Sequence, residues 1–393
     1  MSSPSQSLLF SPLKIRGLTI RNRICVSPMC TYGGHDGMAN DWHLVHLGQY
    51  ALGGAGIVFI EATAVEERGR ITYGDAGIWS DEHIEPMARV TKFLKQFGAT
   101  PAMQLAHAGR KSSTQRPWHG MGILTDADTK ARNEAPWETI SSTTDLMDEN
   151  WHVPHALTVD DLNEVKNAWR AAAERTLKAG FDIIEVHCAH GYLMHQFLSP
   201  LINKRTDEYG GDFVGRTRFP LEVIEAVREV WPDDLPVFVR ISSVDGMEDG
   251  WNLDDSVAFA KELKVRGVDV IDCSSGGVVG SATARAVPRH LGFQVPFSDR
   301  IRRDADVQTM TVGLIVDGPQ AEQILQDGQA DIIAIAREAL YDPYWAHHAE
   351  RALDSELMSY DNWPKEYRWW LEKREPLLRK LRAEADAPAK KSA

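Results

Sequence analysis

Cysteine is scarce in this chain: Cys25, Cys30, Cys188 and Cys273 are the only four, and no two of them form a CxxC pair. That scatter excludes a disulfide framework and any zinc or iron–sulfur signature, so a functional cysteine must act alone. Neither HExxH nor GxGxxG occurs, which removes the zincin pattern and a resident dinucleotide-binding domain. Positive charge is in deficit, with 43 Lys and Arg against 56 Asp and Glu and a net charge of −13. A nucleic-acid partner is not expected, because phosphate binding needs a clustered basic surface. Long apolar runs are missing as well, and MSSPSQSLLF offers neither the basic nor the apolar part of a secretory leader. A soluble, cytoplasmic protein with no membrane partner is therefore expected.

What is present is an ordinary globular composition, 43% hydrophobic and 25% charged, arranged in a recurring unit. Residues 8–23 read as two short strands around Arg16-Gly17, an N-terminal β-hairpin lid ahead of the main fold. Apolar strand segments follow at Ile24–Val26, Ile57–Glu61, Pro101–Leu105, Ile183–Val186, Val237–Ile241, Val270–Ser274, Thr309–Gly313 and Asp331–Ile335, most of them leading into a helical pattern. Strand and helix alternating through eight units predict an α/β fold, a (β/α)8 TIM barrel, with an open doubly wound sheet as the second choice. Residues 112–156, rich in Pro, Trp, Ser, Thr, Asp and Asn, form a long insertion after strand 3, and breaks of this length inside a compact domain are usually functional. Thr158 three residues before Asp161 marks a helix start ahead of Leu162–Ala179, which Gly180 ends. The barrel is expected to fill residues 1–354, and residues 355–393 to form a C-terminal aromatic tail with a frayed end. Trp363, Tyr367, Trp370 and Leu371 share one helical face, which packs on its own core or reaches a neighbouring subunit.

The densest chemistry lies in residues 181–211, FDIIEVHCAHGYLMHQFLSPLINKRTDEYGG, where His187, His190 and Tyr192 arrive as a strand gives way to a turn. In parallel α/β folds that carboxyl end is where ligands bind. Two neutral imidazoles turned toward one oxygen would stabilise negative charge developing there, and Tyr192 could supply a proton. A satisfied structural histidine pair is the commoner alternative. The run SPMCTY, residues 27–32, brings Cys30 and Tyr32 to the same face. A lone cysteine is most often a small buried hydrophobe, and no base stands at fixed spacing to make this one a nucleophile. Gln104 lies on the third strand in MQLAHAGRK, with His107, Arg110 and Lys111 just beyond it, and Arg240 lies on the fifth in FVRIS. An arginine inside a barrel strand is costly to bury unless it meets an anion or a polar ligand, so Arg240 argues for a bound cofactor. Gly313 and the pair Ala336-Arg337 follow strands seven and eight, where barrels often hold phosphate, although a surface arginine opening a helix reads equally well.

Taken together and in this order, these motifs resemble the Old Yellow Enzyme family of FMN-dependent ene-reductases from about Leu9 to Tyr344. The SPMC run and the paired histidines are closer to the subgroup that includes the bacterial xenobiotic reductases than to the yeast enzymes, which typically carry His and Asn in the paired positions. The resemblance implies FMN lying over the carboxyl ends of the strands, with NADPH or NADH as reducing cosubstrate. Pro28, Met29 and Ala62 match positions that pack on the isoalloxazine, Gln104 the position bonded to its pyrimidine edge, and Arg240 the one facing N1 and O2. A positive charge there stabilises the reduced cofactor. Gly313, Ala336 and Arg337 match the phosphate-binding positions; the family often has Gly where Ala336 stands, which touches only fine geometry, since the amide donates regardless. Cys30 matches a cysteine near the flavin that tunes its potential and contacts substrate, with Tyr32 beside it at the substrate face.

The implied reaction is reduction of the activated C=C bond of an α,β-unsaturated carbonyl (an enone) or a nitroalkene. His187 and His190 would hold the oxygen and Tyr192 would protonate the α-carbon. Both substrates would use one stacked position in turn, hence ping-pong kinetics. A related dienoyl-CoA reductase is disfavoured by the missing cysteine cluster, while an FMN-binding carrier or sensor with structural histidines is the rival from another class. The resemblance also implies a homo-oligomer, a dimer or tetramer. Members of the subgroup often place a C-terminal aromatic or arginine in the partner's active site, which makes Arg368, Trp369 and Trp370 candidates.

Overall fold

A hairpin comes first, β1 (Leu13–Ile15) and β2 (Leu18–Ile20), turned at Arg16 with its backbone in the left-handed region (φ 51°). The computed structural model describes residues 7–278, 287–354 and 359–386. After the hairpin the chain runs through β3 (Ile24–Val26), α1 (Asp41–Leu52), β4 (Ile57–Ala64), α2 (Ile84–Gln96) and β5 (Thr100–Ala106). An insertion with α3 (Asp126–Arg132) and the two-residue strands β6 (Ile140–Ser141) and β7 (His155–Ala156) leads to α4 (Val159–Lys178) and β8 (Ile183–Cys188). Then come α5 (Leu193–Leu198), α6 (Phe213–Val230), β9 (Val237–Ser242), α7 (Leu253–Val265), β10 (Val270–Ser274) and α8 (Val295–Ala305). The last unit holds β11 (Gln308–Val312), α9 (Gly318–Gln326), β12 (Ile332–Ile335), α10 (Arg337–Tyr341) and α11 (Trp345–Leu353), with α12 (Lys365–Asp386) beyond it.

Strands β3, β4, β5, β8, β9, β10, β11 and β12 pair in parallel in that order, and β12 returns to β3, so the sheet is a closed eight-stranded barrel. This is the (β/α)8 architecture expected from the alternation of strand and helix. Thr158 caps α4 through its side chain, accepting from the Asp161 amide, and Gly180 (φ 82°) ends it as expected. The hairpin is a lid at the amino-terminal end. Leu13, Ile15 and Ile20 pack with Cys25, Ile57, Ala102, Ile183, Phe238, Val270, Met310 and Ile332, plugging the bottom of the barrel. The insertion crosses the opposite end, where Trp137 Nε1 donates to the Arg68 carbonyl at 3.0 Å and Ser142 Oγ to the Gln196 carbonyl at 2.8 Å.

One element has no sequence signal and one expectation is revised. Helix α8 is not evident from the sequence: its inward residues Val295, Ser298, Ile301 and Ala305 include two small ones, and arginines interrupt the run. The tail stripe also divides. Trp363 precedes α12 and stacks on His347 at 4.1 Å and on Tyr344 at 5.7 Å, whereas Trp370 is 66% exposed. Arg368 pairs with Asp361 and Glu372, and Lys373 sits 3.4 Å from the Trp369 ring centre. The expected start of the tail at residue 355 and its frayed end past residue 386 lie outside the described residues.

Inside the barrel the period-two alternation of strand side chains builds layers. On β9, Val237, Val239 and Ile241 face the helices, while Phe238, Arg240 and Ser242 point inward. The same alternation aims Ile183, Glu185 and His187 inward on β8, and Val270, Asp272 and Ser274 on β10. Register pairs Gln104 with Glu185, Arg240 with Asp272 and Ser242 with Ser274. A polar layer of Gln104, Glu185, Arg240 and Asp272 therefore rests on an apolar one, with a histidine and serines above it. That sequence of layers directs the site to the carboxyl end.

Candidate active site

His187 is the last inward residue of β8, buried to 3% exposure. The Ala189 N–H donates to its Nδ1 at 3.2 Å, which places the ring proton of neutral His187 on Nε2. The chain then turns through His190, whose positive φ of 60° is unusual for a residue with a side chain. Gly191 completes the turn, and here only glycine fits: a Cβ would lie 2.2 Å from the Gly277 carbonyl oxygen. The His190 N–H donates to Ser242 Oγ at 2.9 Å, and its Nε2 lies 2.7 Å from Ser274 Oγ. The two imidazoles stand at 90°, with His187 Nε2 and His190 Nδ1 facing each other at 3.4 Å.

Tyr192 caps α5 and lays its ring against His187, 5.2 Å between centres. Desolvation, then Cys30 and Asp75, hold its hydroxyl well above the ordinary tyrosine value, so it is protonated at neutral pH. Lys111 braces the turn from the insertion side. Its Nζ donates to the carbonyls of His190 at 2.8 Å and Gly277 at 3.1 Å and sits 5.1 Å from the Tyr192 ring centre. Burial, and then Arg110, push this ammonium down to about 7. Below the turn, His195 and Asp245 lie 2.9 Å apart and wholly buried; His195 Nδ1 accepts from the Gly191 amide at 2.9 Å.

The remaining anticipated residues are distributed over several strands and loops of the barrel. Pro28, Met29, Cys30 and Tyr32 follow β3 and are half-buried. Desolvation, Asp75 and Glu61 keep Cys30 a thiol, which matches its reading as something other than a nucleophile. Ala62 sits at a register shift in β4 and lines a small cavity with Asp75 and Tyr192. Gln104 Nε2 donates to Glu185 Oε1 at 2.8 Å. A cleft of about 660 Å³, counted out to solvent, brings His190, Arg240, Ser274, Gly313 and Arg337 together. Ala336, half-buried, immediately precedes Arg337 at the start of α10. Sequence reasoning missed Glu185, Asp272 and Ser274, although each is two residues from an inward neighbour on its strand, and it left Lys111 without a role.

These residues suit FMN on two structural grounds. Arg240 Nε lies 3.1 Å from Asp272 Oδ2 but off the hydrogen-bonding direction, so a buried guanidinium keeps donor capacity toward the cleft. Gly313 (φ 120°) forms a cradle that a side chain would close, since a Cβ there would meet the Phe293 ring at 2.8 Å. Among the described residues, no group of three His, Cys, Asp or Glu could hold a metal ion, and no helix is long and apolar enough to cross a membrane.

The carboxyl end of this TIM barrel thus opens a cleft that reaches Arg240 on β9, Gly313 after β11 and Arg337 after β12. Residues 8–356 match the NADH:flavin oxidoreductase / NADH oxidase family, and the chain belongs to it, as an FMN-dependent oxidoreductase of the Old Yellow Enzyme family. It is 44% identical over 366 residues to an NADPH dehydrogenase of Geobacillus sp. (strain WCH70), covering 93% of this chain and 100% of that one. It is 43% identical over 351 residues to the NADPH dehydrogenase of Bacillus subtilis (strain 168), covering 89% and 96% of the two chains. Among solved structures, a morphinone reductase variant in complex with tetrahydroNAD superposes with a TM-score of 0.71 at 25% identity, over 88% of this chain and 91% of that one.

Burial of the histidine pair has a measurable consequence. Desolvation, then Arg240, hold both imidazoles well below their ordinary value of 6.5, so both are neutral at pH 7. As pH falls through about 6.5 the unfolded chain binds these protons and the native state does not, so stability is lost on the acid side. Thermal melts of wild type should fall more steeply between roughly pH 6.5 and pH 5 than those of a His187→Asn, His190→Asn variant. Parallel slopes for the two proteins would show that the imidazoles are not buried neutral.

Proposed function

We propose that the enzyme reduces the activated C=C bond of α,β-unsaturated carbonyls or nitroalkenes, taking its electrons from NADPH, in two half-reactions at one site. The observation that carries this reading is the confrontation of His187 Nε2 and His190 Nδ1 at 3.4 Å, beside Tyr192 and the Arg240 cleft. At 3.4 Å the two facing nitrogens bond to each other; when a substrate oxygen displaces that contact and the Ser274 hydroxyl donates to His190 Nε2, the His190 proton lies on Nδ1 and both nitrogens donate to that one oxygen. The nicotinamide is supported by the NADPH dehydrogenase relatives and by the tetrahydroNAD bound to the morphinone reductase variant.

FMN, when bound, supplies the hydride chemistry. Pro28, Met29 and Ala62 would pack on its rings, Gln104 and Arg240 would bond its polar edge, and Gly313, Ala336 and Arg337 would hold its phosphate. His187 and His190 then orient the substrate by its carbonyl or nitro oxygen and stabilise the negative charge that grows on it. Tyr192 delivers a proton to the α-carbon, and Cys30 and Tyr32 line the substrate face. Because the nicotinamide and the acceptor occupy the same space in turn, ping-pong kinetics follow. Anaerobic mixing tests the reading: NADPH should bleach the flavin absorbance, and 2-cyclohexenone should restore it. Failure of both steps in folded, FMN-loaded protein would favour a carrier or sensor.

A further inference from the structure

The polar layer beneath the site holds two acids and a single fixed cation. Glu185 and Asp272 are both fully buried, and Arg240 is 8% exposed. The other titratable groups facing them add no compensating charge: Cys25 on β3 is a buried thiol, and His187 and His190 are neutral. With both acids ionised the layer would carry a net negative charge in a dry interior, the costliest arrangement available to it. The two acids are not equivalent. Asp272 Oδ2 stands 3.1 Å from the charged Arg240 Nε, though neither Asp272 oxygen is hydrogen-bonded, while Glu185 Oε1 accepts only from the neutral Gln104 amide and its Oε2 has no hydrogen-bond partner.

We propose that Glu185 holds a proton on Oε2 in the resting enzyme, that Asp272 is the ionised acid, and that this proton sets how strongly Arg240 favours negative charge on the cofactor. Desolvation and the neighbouring Asp272 charge act in the same direction, raising the Glu185 carboxyl well above its ordinary range. With the proton in place, Arg240, Asp272 and Glu185 sum to zero charge. When the proton leaves to solvent, a negative charge appears beneath Arg240 and opposes reduction of the cofactor. Glu185 is thus a positioning residue for the redox step, and it acts without touching substrate.

The inference rests on the reading of Arg240 as flavin-facing, so its test has two separable arms. Infrared spectra of the holoenzyme labelled with 13C-glutamate should show a buried carboxylic-acid C=O band that shifts with the label and disappears in Glu185→Gln. Potentiometry at neutral pH should find the midpoint potential of Glu185→Gln close to wild type and that of Asp272→Asn shifted upward. Absence of a label-sensitive band in wild type overturns the proposal even if the variants do not fold, as does a Glu185→Gln potential raised as far as that of Asp272→Asn. An Arg240→Gln potential equal to wild type would instead overturn the flavin-facing role of Arg240, leaving the infrared result to decide on the proton alone.

Discussion

Replacing His187 and His190 together with alanine is expected to lower 2-cyclohexenone turnover by at least about 10³-fold, while FMN is retained at close to the wild-type ratio. Removing a single oxyanion donor typically costs about 10²–10³ in rate, and donors that converge on one atom do not contribute additively. FMN retention should survive because the proposed cofactor contacts come from other elements, notably Gln104, Arg240, Gly313 and Arg337. The substitution also strips partners from Ser274 Oγ and the Ala189 amide, which hydrogen-bond the two rings. Such losses run to about 1–3 kcal/mol for each group left buried and unmet. Flavin content measured beside turnover, on protein shown to be folded, separates the outcomes. Equal loss of flavin and turnover would mark the pair as structural.

Tyr192→Phe should divide the catalytic cycle. The ring keeps its packing on His187 and its contact with Lys111, so only the hydroxyl is lost. General-acid groups contribute about 10²–10⁴-fold, and a loss in that range is expected in reoxidation by enone. Reduction by NADPH needs no proton from this residue and should stay within a few-fold of wild type, by the same reasoning. Anaerobic stopped-flow of each half-reaction measures both rates. If both slow together, Tyr192 positions the turn and is not the acid.

The barrel was legible because its strands are short apolar runs and several of its helices, such as α2 and α4, carry a clear amphipathic period. The site was legible where residues cluster in sequence, as at His187, His190 and Tyr192. Harder to read were contacts that only barrel closure creates. Glu185 sits in a run, IIEVHC, that reads as uniformly buried, and its facing of Asp272 and Arg240 depends on register across three strands. Ser274 ends β10 as one serine in a run of them, and its role follows from its place beside Ser242 and under His190. Helix α5 shows no periodicity because every residue from Leu193 to Leu198 is buried. The tail stripe satisfied helical spacing, but Trp363 found a stacking partner in His347 before the helix began. In each case the deciding interaction joins residues far apart in the chain.

The plugged lower end of the barrel also constrains when this chain can finish folding. Ser7 and the Leu8 and Leu9 amides bond to Glu322, more than three hundred residues away, and β3 finds its second neighbour only in β12. Arg16 likewise reaches Asp269 at 2.6 Å. During synthesis β1 can pair with β2 and β3 with β4, but these long-range contacts must wait until the last strands emerge, and contacts of such separation form slowly. The hairpin therefore works as a closing latch, and the interval before it engages is when the growing chain exposes apolar edge to its surroundings.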